Sequence, residues 1–142
     1  RHGLLEPIRE RVRSGIPYAG WSAGANLACP TIMTTNDMPI CDPQGFGALG
    51  LVPFQINPHY LHGNPPGFKG ETREERITEF GILNPDTWIA GLREGTGLVV
   101  ADGTLRMVGP HPCRVFRHGQ APREVAPTDD LAFLLESTPA QP

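Results

Sequence analysis

Ile16-Pro17-Tyr18-Ala19-Gly20-Trp21-Ser22-Ala23-Gly24-Ala25-Asn26-Leu27-Ala28-Cys29 is the stretch on which the reading of this chain turns. The apolar run Ile16–Ala19, bounded by glycines and with Pro17 at its beginning, predicts a buried strand. The small residues from Ala25 to Cys29 predict a helix that Pro30 ends. Between them stands Gly20-Trp21-Ser22-Ala23-Gly24, a Gly-x-Ser-x-Gly. A chain that reverses sharply from strand to helix needs those glycines, because a Cβ there would meet neighbouring backbone. Such a turn lifts Ser22 clear of the strand's C-terminal edge. The amides and partial positive charge of the next helix face the same spot. The Ala23 N–H is then an oxyanion donor. The same pattern also serves plain close packing of a strand on a helix, so the motif alone leaves both readings open.

Working outward, Leu4, Leu5, Ile8 and Val12 fall at helical spacing, with Glu6, Arg9, Glu10, Arg11 and Arg13 opposite. That predicts an amphipathic helix over 4–13, stopped by Ser14-Gly15. Residues 30–58, punctuated by Pro30, Pro39, Pro43, Pro53 and Pro58, read as irregular, with short strands at 31–35 and 51–56. Thr72–Leu83 reads as a second helix, with Ile77 and Phe80 inward and Glu74, Glu75 and Glu79 outward. Trp88–Leu92 reads as a buried strand, Gly97–Val108 as a hairpin turning at Asp102-Gly103, and Cys113–Arg117 as a further strand. Thr128, with Asp129 and Asp130, caps a short helix through Leu135. Neither repeat nor linker divides the chain, and residues 1–142 read as one α/β unit.

Composition removes several functions. Lys plus Arg is 12 against 15 Asp plus Glu, a net charge of −3, without the basic clustering of a nucleic-acid binder. No run approaches the ~18 apolar residues of a membrane span, and the first residues lack a signal peptide's apolar stretch. Cys29, Cys41 and Cys113 are odd in number and form no Cys-x-x-Cys. Neither a disulfide nor a metal site is expected, and reduced thiols of a cytoplasmic protein fit better. Gly45-Phe46-Gly47-Ala48-Leu49-Gly50 spells a dinucleotide fingerprint but leads into Leu51-Val52-Pro53 rather than a helix, so it is rejected. Cys29, two turns along its helix among small neighbours, reads as a packed core residue.

A serine needs a base and an orienting acid to act as a nucleophile. Of the five histidines, His2 is terminal, His62 lies in a Gly/Pro-rich loop, and His111 and His118 lie at turns of the hairpin region. His59 ends a predicted strand, where catalytic residues of parallel sheets collect. For the acid, Asp37 ends another predicted strand, with Asp42 and Glu94 as competitors. The order Ser22, Asp37, His59 matches α/β-hydrolases, but the short spacing points to a different scaffold.

Gly20–Thr31, Thr34-Thr35-Asn36-Asp37-Met38-Pro39, Gln55-Ile56-Asn57-Pro58-His59 and Lys69-Gly70-Glu71-Thr72-Arg73-Glu74 occur in this order. Together they resemble the peptidase E family (S51) of aspartyl dipeptidases, related to cyanophycinases and more distantly to class I glutamine amidotransferases. The resemblance implies a Rossmann-like, class I glutamine-amidotransferase-like sheet flanked by helices. It implies Ser22 as nucleophile, His59 as general base, and Asp37 as orienting acid with Glu94 as the alternative. It further implies N-terminal Asp-X dipeptides as substrate, a cytoplasmic location, and neither metal nor cofactor. Arg73, at the start of the second helix, can hold a substrate carboxylate bidentately.

The resemblance covers the C-terminal part of the family's domain. Full members carry further strands before Leu4, and a Gly-rich segment that supplies the second oxyanion donor. The open sheet edge expected here favours a homo-oligomer or association with the missing N-terminal half. A catalytically silent partial domain that acts in assembly is the alternative expectation.

Overall fold

The computed structural model describes residues 3–38, 40–64 and 66–142; His2, and Pro39 of the second resemblance motif, lie outside them. The architecture is mixed α/β. Helix α1 spans Leu5–Arg13 and α2 spans Ala23–Ala28. Strand β1 is Gln55–Asn57, α3 is Arg73–Leu83, and β2 is Ile89–Gly91. A hairpin pairs β3, Gly97–Ala101, with β4, Thr104–Val108. Strands β5, Cys113–Phe116, and β6, Arg123–Val125, precede a closing 3-10 turn at Ala132–Glu136.

The main sheet runs β1-β2-β5-β6, with β1 and β2 parallel and the other two pairs antiparallel. Parallel neighbours require a crossover, and α3 supplies it. Thr72 and Glu75 form a capping box at its start, the Thr72 hydroxyl accepting from Glu75 N at 3.1 Å. Successive strand residues face opposite ways, so Ala90 and Val115 join Phe54, Leu131 and Leu134 in one core. Ile89 and Phe116 join Tyr60, Ile77 and Phe80 of the α3 side in the other. At the hairpin turn Asp102 and Gly103 both have positive φ (50° and 72°), the backbone a two-residue loop demands.

Several expectations need correction. Ile16–Ala19 is not a buried strand: it pairs with no strand among the described residues, and Ile16 is 54% exposed. Among the described residues the edge of β1 that faces away from β2 pairs with no strand. Its Ile56 carbonyl accepts from the side chains of Asn26 (2.9 Å) and Thr34 (2.8 Å) instead. The expected strand at 31–35 is reduced to a single bridge, Thr31 to Gly47, and that at 51–56 starts only at Gln55 because the chain bends through 51–54. The last helix is a 3-10 turn. Asp130, rather than Thr128, satisfies its first amide, accepting from Ala132 N at 2.8 Å. Strand β6 carried no sequence signal of its own. Helix α1 forms as expected, yet none of its residues is buried, and Leu4, Leu5 and Ile8 are exposed. Arg9 ties it down, donating to the carbonyls of Leu49 (2.7 Å) and Ala48 (2.8 Å).

Candidate active site

Ser22 stands at the tip of the turn before α2 with φ 52° and ψ −121°, a left-handed backbone costing about 1–3 kcal/mol that such turns use to aim a side chain. Gly20 permits this: a Cβ there would lie 2.5 Å from Gly24 O, a backbone atom that cannot move aside. Gly24 has no such need, since its nearest obstacle is the Tyr18 hydroxyl at an ordinary 3.8 Å. That hydroxyl instead donates to Gly24 O at 2.7 Å and closes the turn. The Ala23 amide makes no hydrogen bond among the described residues.

His59 follows β1, also with positive φ (56°). Its Nε2 lies 2.9 Å from Ser22 Oγ, and its Nδ1 hydrogen-bonds Glu94 Oε1. Glu94 follows β2. Because β1 and β2 are parallel neighbours, their C-terminal ends lie side by side and bring the imidazole and the carboxylate together. A carboxylate on Nδ1 keeps the proton there and leaves the Nε2 lone pair to accept from the serine hydroxyl. Both side chains are open to solvent, 44% for His59 and 77% for Glu94.

Asp37, expected on this imidazole, is not on it. Its recorded contact is its own backbone amide donating to Thr35 Oγ1 at 3.1 Å. The Thr35 hydroxyl closes a local turn there, and Asp37 lines the cavity beside Ser22. That cavity holds about 270 Å³ and is lined by Ser22, Asn26, Asn36, Asp37, His59 and Arg73, among others. Asp42 is further off in role, accepting from Gln44 N at 2.8 Å.

Arg73 opens α3 at the cavity wall. One terminal nitrogen donates to Asn36 Oδ1 and Pro58 O, both at 3.1 Å. Its other guanidinium nitrogens make no hydrogen bond among the described residues. Asn36 was missed by sequence reasoning, which weighed only its neighbour Asp37. It accepts from Asn57 Nδ2 at 2.8 Å and so links β1 to Arg73. His62 meets Glu74 at 3.0 Å, away from Ser22. Cys29 is fully buried, and burial pushes its thiol up to about 12, consistent with the core role expected of it. Among the described residues no group of His, Cys, Asp and Glu could hold a metal ion, and no helix is long and apolar enough to cross a membrane.

The peptidase family S51 model matches residues 1–108. Peptidase E of Nostoc sp. is 52% identical over 133 residues, 94% of this chain and 55% of that protein. Peptidase E of Salmonella arizonae and of Escherichia coli are each 56% identical over 118 residues, 83% of this chain and 52% of theirs. The chain therefore spans about half the length of the curated relatives it matches. The matched span includes Ser22, His59 and Glu94, and on this match the chain belongs to peptidase family S51.

Proposed function

We propose that this chain bears the catalytic residues of a serine dipeptidase that hydrolyses N-terminal Asp-X dipeptides in the cytoplasm. The observation that carries the reading is His59 bridging Ser22 and Glu94. In the reaction, Ser22 Oγ attacks the scissile carbonyl carbon while its proton passes to His59 Nε2. The carbonyl oxygen becomes an oxyanion facing the Ala23 N–H. Collapse of the tetrahedral intermediate breaks the C–N bond, and the Nε2 proton goes to the leaving amine. Water, deprotonated by the same nitrogen, then releases the acyl group from Ser22. Glu94 stays ionised, holding the ring and its transient positive charge. Arg73 takes the substrate's side-chain carboxylate through the guanidinium edge that has no protein partner, which favours Asp over neutral residues.

The sheet of this chain is read as part of a Rossmann-like, glutamine-amidotransferase-like sheet. Two features support completion by further polypeptide: the exposed apolar residues Leu4, Leu5, Ile8 and Ile16, and relatives of whose length this chain spans about half. We place that polypeptide, in the same chain or another, over α1 and Ile16–Ala19, where it also supplies the second oxyanion donor. The same open face supports the alternative of a silent partial domain. Ser22→Ala in the active protein decides between the two: a loss of about 10⁴–10⁶-fold in kcat is expected, and undiminished Asp-X cleavage by the variant excludes the serine mechanism.

A further inference from the structure

Each functional residue that follows the serine turn has a chain neighbour in one closed ring of side chains. Tyr60 follows His59, Glu74 follows Arg73, and Arg93 precedes Glu94. The buried Tyr60 hydroxyl donates to Glu74 Oε1. Arg114 Nε lies 3.0 Å from the same oxygen, an ion pair off the N–H axis, since that nitrogen makes no hydrogen bond. Arg114 also donates to Glu124 Oε1 at 3.3 Å. Arg93 grips Glu124 with both terminal nitrogens, each at 2.8 Å, and its guanidinium lies 5.3 Å over the Tyr60 ring, closing the circuit.

Two physical points give the ring a purpose. Glu94 is 77% exposed, and its recorded partner is His59, so nothing in its own side chain prevents it from swinging into water. The half-buried ion pairs of the ring add modest stability, but stability alone does not aim a side chain. What a bidentate arginine does supply is a fixed direction. Fixing Arg93 fixes the backbone one bond from Glu94, and seating Tyr60 fixes the backbone one bond from His59. Backbone bonds reinforce this: Tyr60 N donates to Leu92 O at 2.8 Å, and Leu92 N to Asn57 O at 2.9 Å.

We propose that Arg93 and Glu124 are positioning residues that hold Glu94 against His59, with Tyr60 as the shared wall between the two loops. This rests on the serine dipeptidase reading above. The test is Glu124→Gln in the active protein, followed by kcat and KM for an Asp-X dipeptide and by the downfield proton resonance of the His59 Nδ1–H. The expected result is a fall in kcat of about tenfold to a hundredfold, the scale of a misplacement near 1 Å. KM should stay within about twofold, because the substrate contacts are untouched, and the Nδ1–H resonance should broaden or shift. Arg93→Lys should behave alike, since an ammonium cannot reproduce the fork. Arg117→Gln breaks a comparable pair with Asp86 (2.9 Å) outside the ring and should leave all three readings unchanged. Wild-type kcat and an unmoved resonance in Glu124→Gln overturn the proposal while the dipeptidase reading stands. So do losses in kcat and KM that merely track a lowered melting temperature. If Glu94→Gln itself leaves the resonance in place, the His59–Glu94 pair fails, and the proposal falls with it.

Discussion

Replacing Gly91 by Ala tests how far catalysis depends on the flat seat that β2 offers Tyr60. A Cβ on Gly91 would lie 2.8 Å from both Cγ and Cδ2 of Tyr60 and 3.2 Å from Arg114 O. Carbon atoms settle at about 3.5–4.0 Å, so ring and strand must separate by roughly 1 Å. Tyr60 has little room to retreat. It is fully buried, packed edge-on to Phe116 with centroids 5.7 Å apart, and covered by Arg93. Overpacking of this kind costs about 1–3 kcal/mol. A similar shift passed to the adjacent His59 would carry Nε2 from 2.9 Å beyond hydrogen-bond range of Ser22. Denaturant unfolding and steady-state Asp-X hydrolysis read the two consequences separately. Stability should fall by about 1–3 kcal/mol, and kcat by about tenfold to a hundredfold. A variant destabilised as expected but with wild-type kcat would refute the link between the Tyr60 seat and the imidazole.

Three further outcomes are expected. Arg73→Gln should lower kcat/KM for Asp-X by about 2–5 kcal/mol in transition-state terms and spare Ala-X; equal losses would make Arg73 structural. A thiol-alkylating reagent should modify Cys41, which is exposed, in the native protein. Cys29 and Cys113, whose thiols burial pushes up to about 12, should react only on unfolding, as peptide mass mapping would show. Acid should weaken the fold through Glu124 and Glu74. Hydrogen bonds from Arg93 hold Glu124 below its ordinary 4.5. For Glu74 the burial that would raise its value is outweighed by hydrogen bonds from Tyr60 and His62 and by the Arg114 charge. A depressed carboxylate stabilises the fold above its unfolded value, and that contribution is lost as pH falls through the folded one. Stability should therefore drop below about pH 4.5, and Glu124→Gln should flatten that drop in acid unfolding curves.

Local chemistry made much of this chain legible in sequence. The helix begun at Thr72, the Asp102-Gly103 turn and the serine turn each need only neighbours a few residues away, and each forms as expected. The misses are non-local. Ile16–Ala19 has the composition of a buried strand, but a strand exists only where another offers it a ladder, and among the described residues none does. Asp37 looked like the acid because it lies in a turn near Ser22 in sequence. Glu94, much further along the chain, reaches His59 because β1 and β2 are parallel neighbours. The signal was available in part: His59 and Glu94 each follow a predicted strand by two or three residues, and parallel pairing of those strands aligns them. Asn36 had no such signal, since an asparagine in a Thr-rich turn ordinarily closes the turn.

The central claim, a Ser22–His59–Glu94 relay, is tested most directly by comparing kcat for Glu94→Gln and Asp37→Asn on one Asp-X dipeptide in the active protein. Neutralising the acid of such a relay costs about 10⁴-fold by upsetting the imidazole tautomer. The account predicts a loss on that scale for Glu94→Gln and a far smaller one for Asp37→Asn. A large loss in Asp37→Asn beside near-normal turnover in Glu94→Gln would contradict it.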